Sequence, residues 1–174
     1  IPDKIHTDQE NHVLAINCPP GVIAYVDETC EVEITVEIPI STCTITSISY
    51  TVAGGPVIVV PLGTIGPISI GSFPPDTFNV VWTVTDNCIP PTNAVCNQPV
   101  LIQDTISPLI TCPDDISVGN RTDGRRNNLL SIAQPDVSDN CGILSVINDF
   151  NNTDDASGVY PLGTTVVNWV VTDL

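Results

Sequence analysis

The chain is predicted to be all-β and to fold as two β-sandwich domains in tandem. Three observations carry this expectation: short runs that alternate apolar and polar residues, dense punctuation by proline and glycine, and a block of sequence that occurs twice. Across 174 residues there are 16 Pro and 11 Gly. No window repeats apolar residues at i, i+3, i+4 and i+7 over three turns, so no amphipathic helix is expected.

The strands follow in order. Val32, Ile34, Val36 and Ile38 alternate with Glu31, Glu33, Thr35 and Glu37, which puts the apolar set on one face and a mostly acidic set on the other. Ile45 to Val52 is rich in β-branched residues, and Val57 to Val60 is a short buried-type run. Val80, Trp82 and Val84 alternate with Val81, Thr83 and Thr85, and Val100-Leu101-Ile102 reads as the last strand of the first domain.

The repeat fixes the domain count. Residues Phe73 to Asp86 match Tyr160 to Asp173, with seven of the fourteen positions identical. The alternating triplet Val80, Trp82, Val84 recurs as Val167, Trp169, Val171, so one strand is used twice with its indole on the same face. Both indoles are expected in the core. Upstream, Ile16-Asn17-Cys18-Pro19 matches Ile110-Thr111-Cys112-Pro113. Between Cys43 and Phe73 the first copy carries 11 residues more than the second has between Cys141 and Tyr160. An extra hairpin is expected there, around Gly54-Gly55-Pro56 or Gly66-Pro67. The expected organisation is an N-terminal extension over 1–14, a first sandwich over 15–104 and a second over 105–174. The first copy runs about eighteen residues past its closing Asp86, whereas the second stops one residue after Asp173 and is expected to lack its last strand, which either follows Leu174 in a longer chain, with a Cys there to pair Cys112, or is supplied by residues 1–14 of another copy. A chain that opens on Ile1 without Met is expected to be a processed mature protein or a fragment.

Composition removes several function classes. Twenty Asp and Glu against four Lys and Arg give a formal net charge of −16, which argues against nucleic acid and against anionic lipid. No apolar run is long enough for a membrane helix, so no membrane insertion is expected. His6 and His12 are the only histidines, no G-x-S-x-G occurs, and adjacent pairs such as Asp114-Asp115 and Asp154-Asp155 read as solvated loop carboxylates. An enzyme is not expected. Seven Cys without any C-x-x-C exclude a zinc ribbon and a thioredoxin-type site, and point to structural disulfides in an oxidising compartment. The odd count leaves at least one thiol free or bonded outside the chain.

Three motifs resemble the hyalin repeat, or HYR, domain. Asp104-Thr105-Ile106-Ser107-Pro108-Leu109-Ile110-Thr111-Cys112-Pro113 resembles its linker and opening strand. Pro135-Asp136-Val137-Ser138-Asp139-Asn140-Cys141-Gly142 resembles its P-x-x-x-D-N-C/S-G turn, and Tyr160 to Val166 with Val171-Thr172-Asp173 resembles its F-P-x-G-T-T-x-V strand and closing T-D. The resemblance covers 104–174 well and 15–104 more loosely, where Ser41-Thr42-Cys43 replaces Asn-Cys-Gly. It implies immunoglobulin-like sandwiches in tandem arrays on extracellular and cell-surface proteins, with adhesive, spacing and matrix roles. It also implies a disulfide between the opening and final strands, Cys18 to Cys96, with Cys30 to Cys43 as the second bridge. Cys88–Cys96 is the alternative pairing, and Cys112 and Cys141 have no partner inside their own domain.

Calcium is the one cofactor the sequence suggests, because hard cations take several oxygens and interdomain linkers often supply them. The candidates are Asp86, Asn87, Asp104, Asp139 and Asn140; the competing reading is that these side chains cap turns. Asn120-Arg121-Thr122 and Asn151-Asn152-Thr153 are N-glycosylation sequons, and Thr105 is a candidate O-glycan site. The function expected is an extracellular structural or adhesive module, a rod segment of a surface fibre or long adhesin. Its partners would be neighbouring repeats or further copies of itself, joined head to tail by strand exchange through residues 1–14. The alternative is a glycan- or receptor-binding adhesin domain using the insertion between Cys43 and Phe73, whose only aromatic is Tyr50.

Overall fold

A computed structural model describes residues 17–87, 93–119 and 127–174. Among them every regular element is a strand. The chain divides into two compact units. Among the described residues, unit 1 holds those up to Val26 and those of Glu31–Gln103, and unit 2 holds the four-residue segment Asp27–Cys30 and those of Asp104–Leu174.

Unit 1 begins with β1 (Val22–Tyr25), β2 (Val32–Val36), β3 (Ile45–Val52) and β4 (Ile58–Val59). It continues through β5 (Ile68–Phe73), β6 (Asp76–Asp86) and β7 (Asn93–Gln103). Five of them form one sheet in the order β1-β7-β6-β3-β4, and β2 pairs with β5 in a second. β1 runs parallel to β7, with Val22 opposite Val100; the other pairings are antiparallel. The insertion is a β3–β4 hairpin turning through Ala53 and Gly54, both at positive φ, followed by a turn closed by Thr64 N donating to Pro61 O.

β6 is hydrogen-bonded on both edges, to β3 and to β7. Its alternation therefore buries one complete face: Val80, Trp82 and Val84 are fully buried, as are Ile34, Val36, Ile48 and Val100 of the same unit's core. The Trp82 ring lies 5.1 Å from that of Tyr50 at a 48° tilt, a favourable aromatic geometry. A buried indole N–H must find an acceptor. Here it donates to Gln98 Oε1 at 3.1 Å, and Gln98 Nε2 donates in turn to Pro20 O at 2.9 Å.

Unit 2 contains β8 (Leu109–Thr111), β9 (Asn127–Leu130), β10 (Asp136–Ser138), β11 (Ile143–Asn148), β12 (Gly158–Pro161) and β13 (Trp169–Asp173). They pair two by two and antiparallel: β8 with β10, β9 with β12, β11 with β13. The best-buried part of its core is small. Tyr160 stacks on Phe150 with ring centroids 4.1 Å apart, over Gly158, where a Cβ would stand 2.9 Å from the Phe150 ring. Burial keeps the Tyr160 phenol protonated well up the alkaline range, assisted by the charges of Asp149 and Asp155, and the hydroxyl donates to Ala156 O at 2.6 Å. Asn148, 1% exposed, shapes the turn that follows: its Oδ1 accepts from Phe150 N and Asn151 N, and its Nδ2 donates to Thr153 O.

Candidate functional site

Two places in unit 2 concentrate chemistry. The first is built on two side-chain-closed turns. Asp104, just after β7, accepts the Ile106 N–H on Oδ1 at 2.9 Å. Asp139, just after β10, accepts the Cys141 and Gly142 N–H groups on Oδ1, both at 2.9 Å. Gly142 has φ +110°, a conformation that favours glycine, and this is why the turn ends there. Between them Asn140 donates through Nδ2 to Asp27 O at 3.0 Å and to Asp104 Oδ1 at 3.4 Å. Those two acceptors fix its amide orientation, because a flip would set oxygen against oxygen.

Turn capping accounts for one oxygen of each aspartate and leaves the other. Asp104 Oδ2, Asp139 Oδ2 and Asn140 Oδ1 are each shielded from solvent and accept no hydrogen bond. The segment Asp27–Cys30 is bonded into this region through a Cys30–Cys141 disulfide. Of the five calcium candidates the structure therefore gathers Asp104, Asp139 and Asn140 in one unit, while Asp86, buried at the end of β6, and the exposed Asn87 belong to the other. Among the described residues no group of three or more His, Cys, Asp and Glu side chains is arranged to hold a metal; the set here is two carboxylates and one amide.

The disulfides correct the sequence expectation in part. Cys18 is bonded to Cys96, with Cα atoms 5.7 Å apart. Cys30 is bonded to Cys141 and not to Cys43. The reason is that Cys30 sits at the end of the one segment preceding β2 that groups with unit 2, so its neighbours are those of the Asp139–Gly142 turn. Cys43 is also in a disulfide, and Cys88 lies outside the described residues. Cys112 is a free, exposed thiol. Of the modification candidates, Thr105 is exposed, and Asn151 is exposed with its Nδ2 engaged on Asp155 O at 2.7 Å; Asn120 lies outside the described residues.

The second place is a groove of about 590 Å³ in unit 2, lined among others by Cys112, Leu130, Ile132, Tyr160, Val167 and Trp169. Among the described residues β13 is paired on one edge only, with β11. Its Trp169 is half-buried where Trp82 is fully buried, and Val166, Val170 and Leu174 are 64–72% exposed. The repeat makes the difference legible. In unit 1 the equivalent β6 has β7 on its other edge, Trp82 opposite Cys96 in register, and Cys96 bonded to Cys18, the counterpart of Cys112.

No family model matches the chain, and no curated protein matches it. Among solved structures, fibronectin(III)-like modules of CbhA from Clostridium thermocellum are similar over 92% of this chain and 86% of that one, at 15% identity and a TM-score of 0.36.

Proposed function

We propose that this chain is a non-catalytic extracellular structural module: two tandem immunoglobulin-like sandwiches of the hyalin repeat type, forming a segment of a surface fibre that assembles head to tail. The observation that carries this reading is the contrast between β6 and β13. Among the described residues the second edge of β13 and the apolar groove beside the half-buried Trp169 are unpaired, and such an edge is a template for a further strand. The strand that would fill it has a recognisable chemistry. By analogy with β7 it is antiparallel to β13, apolar on the face toward Trp169 and able to shield Cys112. Residues 1–14 of a neighbouring copy, apolar at Ile1, Ile5, Val13 and Leu14, are the proposed donor. A contact of that kind does not close on itself, so it builds a filament. Disulfides support an oxidising compartment, and no described helix is long and apolar enough to cross a membrane. A glycan-binding role for the insertion is less well supported, since its only aromatic, Tyr50, is 6% exposed.

Electron microscopy and light scattering on the full chain and on a chain lacking 1–14 test the proposal. Assembly should be lost on deletion while both units stay folded, and Cys112 should be alkylated faster in the deleted chain. Assembly that survives the deletion, or a full chain that stays monomeric at high concentration, rules the mechanism out.

A further inference from the structure

Charge is unevenly spread along the chain. The stretch from Ile38 to Pro75 contains none of its 20 acidic and 4 basic side chains. That stretch includes the β3–β4 hairpin of the insertion. Among the described residues β4 is paired on one edge only, with β3. Val60 N donates to Ile48 O and Ile58 stands opposite Tyr50, so in the antiparallel alternation Ile58 and Val60 spend their backbone groups on β3. Val57 and Val59 turn theirs outward. Their side chains are 67% and 73% exposed, whereas Val60 is buried. Pro61, next in the outward series, has no N–H and ends the ladder. Exposed Ile40, Leu62 and Ile65 continue the apolar surface around a groove of about 460 Å³ at the end of the strand. An apolar, uncharged and unpaired edge is a liability that proteins ordinarily blunt with lysine, a bulge or a covering loop.

We propose that the β4 edge is a self-association site, at which a second copy of this chain adds its own β4, antiparallel, across a twofold axis. Two arguments select a copy over another partner. The first is symmetry. Pairing Val57 with Val59 of the partner subunit, and the reverse, satisfies every outward group of both strands and sets Ile58 opposite Ile58 of the partner subunit on the axis. The second is electrostatic. A chain of net charge −16 repels its own copies, and the charge-free stretch is where that repulsion is weakest. A cationic partner gains nothing there and is drawn to the acidic remainder instead. The contact is isologous and closes as a dimer. It uses unit 1 alone, so it is independent of the strand exchange proposed at β13.

Cross-linking in the full chain tests the site, in a Cys112→Ser background that removes the free thiol. Facing residues of a non-hydrogen-bonded antiparallel pair lie about 4.5 Å apart at Cα, within disulfide reach. Ile58→Cys should therefore oxidise to a covalent dimer. Val57→Cys should not, because its own counterpart lies two residues off register and beyond that reach. Sedimentation velocity checks the register by charge. Val57→Glu/Val59→Glu sets like charges opposite each other and should abolish the dimer, whereas Val57→Lys/Val59→Glu sets opposite charges there and should keep it. Both side chains are exposed, so these variants should fold, with unchanged circular dichroism. If Ile58→Cys fails to fold, the two charge variants decide. A folded Ile58→Cys chain that does not cross-link overturns the site, and so does equal behaviour of the two charge variants. A cross-link that disappears on deletion of residues 1–14 assigns the edge to that segment and overturns self-pairing too. Filaments without the cross-link sink this inference alone; a cross-linked dimer without filaments sinks only the head-to-tail reading.

Discussion

Cys30 and Cys141, 111 positions apart, are bonded to each other with their Cα atoms 4.9 Å apart. The bond ties the segment between β1 and β2 to the turn that presents Asp139 and Asn140. Non-reducing peptide mapping should therefore recover a Cys30–Cys141 peptide beside Cys18–Cys96, and no Cys30–Cys43 peptide. The Cys30→Ser/Cys141→Ser pair should lower stability by about 5 kcal/mol on the chain-entropy estimate for so long a loop.

The two tryptophans should behave unequally. Trp82→Ala leaves a large cavity in a closed core and should cost about 3–5 kcal/mol. Gln98→Leu strands the indole N–H and the Pro20 carbonyl and should cost about 1–3 kcal/mol. Trp169→Ala, at a half-buried site, should cost clearly less. Acrylamide quenching of the unassembled chain should resolve one protected and one accessible indole; two equally protected indoles would contradict the open edge of β13.

Acid should destabilise unit 2 through Asp149 and Asp155. Both carboxyls are held below their ordinary value of 3.8, Asp149 chiefly by the Asn168 side chain and then its backbone N–H, Asp155 chiefly by the Ser157 hydroxyl and then its backbone N–H. A group whose folded pKa lies below its unfolded one contributes stability above the unfolded value and loses it as pH falls through the folded value. The melting temperature should thus fall below about pH 4, and Asp149→Asn should flatten that fall. Both groups are exposed, so the effect should shrink in high salt.

Gly158→Ala should displace the Phe150 ring, which has no room for a Cβ, and break its stack on Tyr160. Overpacking of this kind costs about 1–3 kcal/mol. Tyr160→Phe keeps the stack and loses only the bond to Ala156 O, for about 1 kcal/mol. Near-ultraviolet circular dichroism should separate the two variants, with the aromatic signal lost in the first and kept in the second.

Periodicity placed the strands around Ile34 and Trp82, because a strand with one buried face must alternate and the alternation is written in the chain, while β-branched content placed the strand around Ile48 and a short apolar run the one around Val100. The repeat likewise related Trp82 to Trp169 without coordinates. Sequence also named Asp104, Asp139 and Asn140 among its calcium candidates, through residue type and nearness to the domain junction. It had no means of separating them from Asp86 and Asn87, since which side chains share a unit depends on how the chain folds back, and proximity along the sequence is a poor guide to that. The same holds for Cys30: the family resemblance implied a bridge to Cys43, whereas the partner is Cys141, because the Asp27–Cys30 segment groups with the second unit. Tertiary structure alone decided which oxygen of each aspartate a turn consumes and which it leaves bare. That depends on the direction of single N–H groups, and those directions follow from backbone dihedrals that residue identity constrains only at positions such as Gly142.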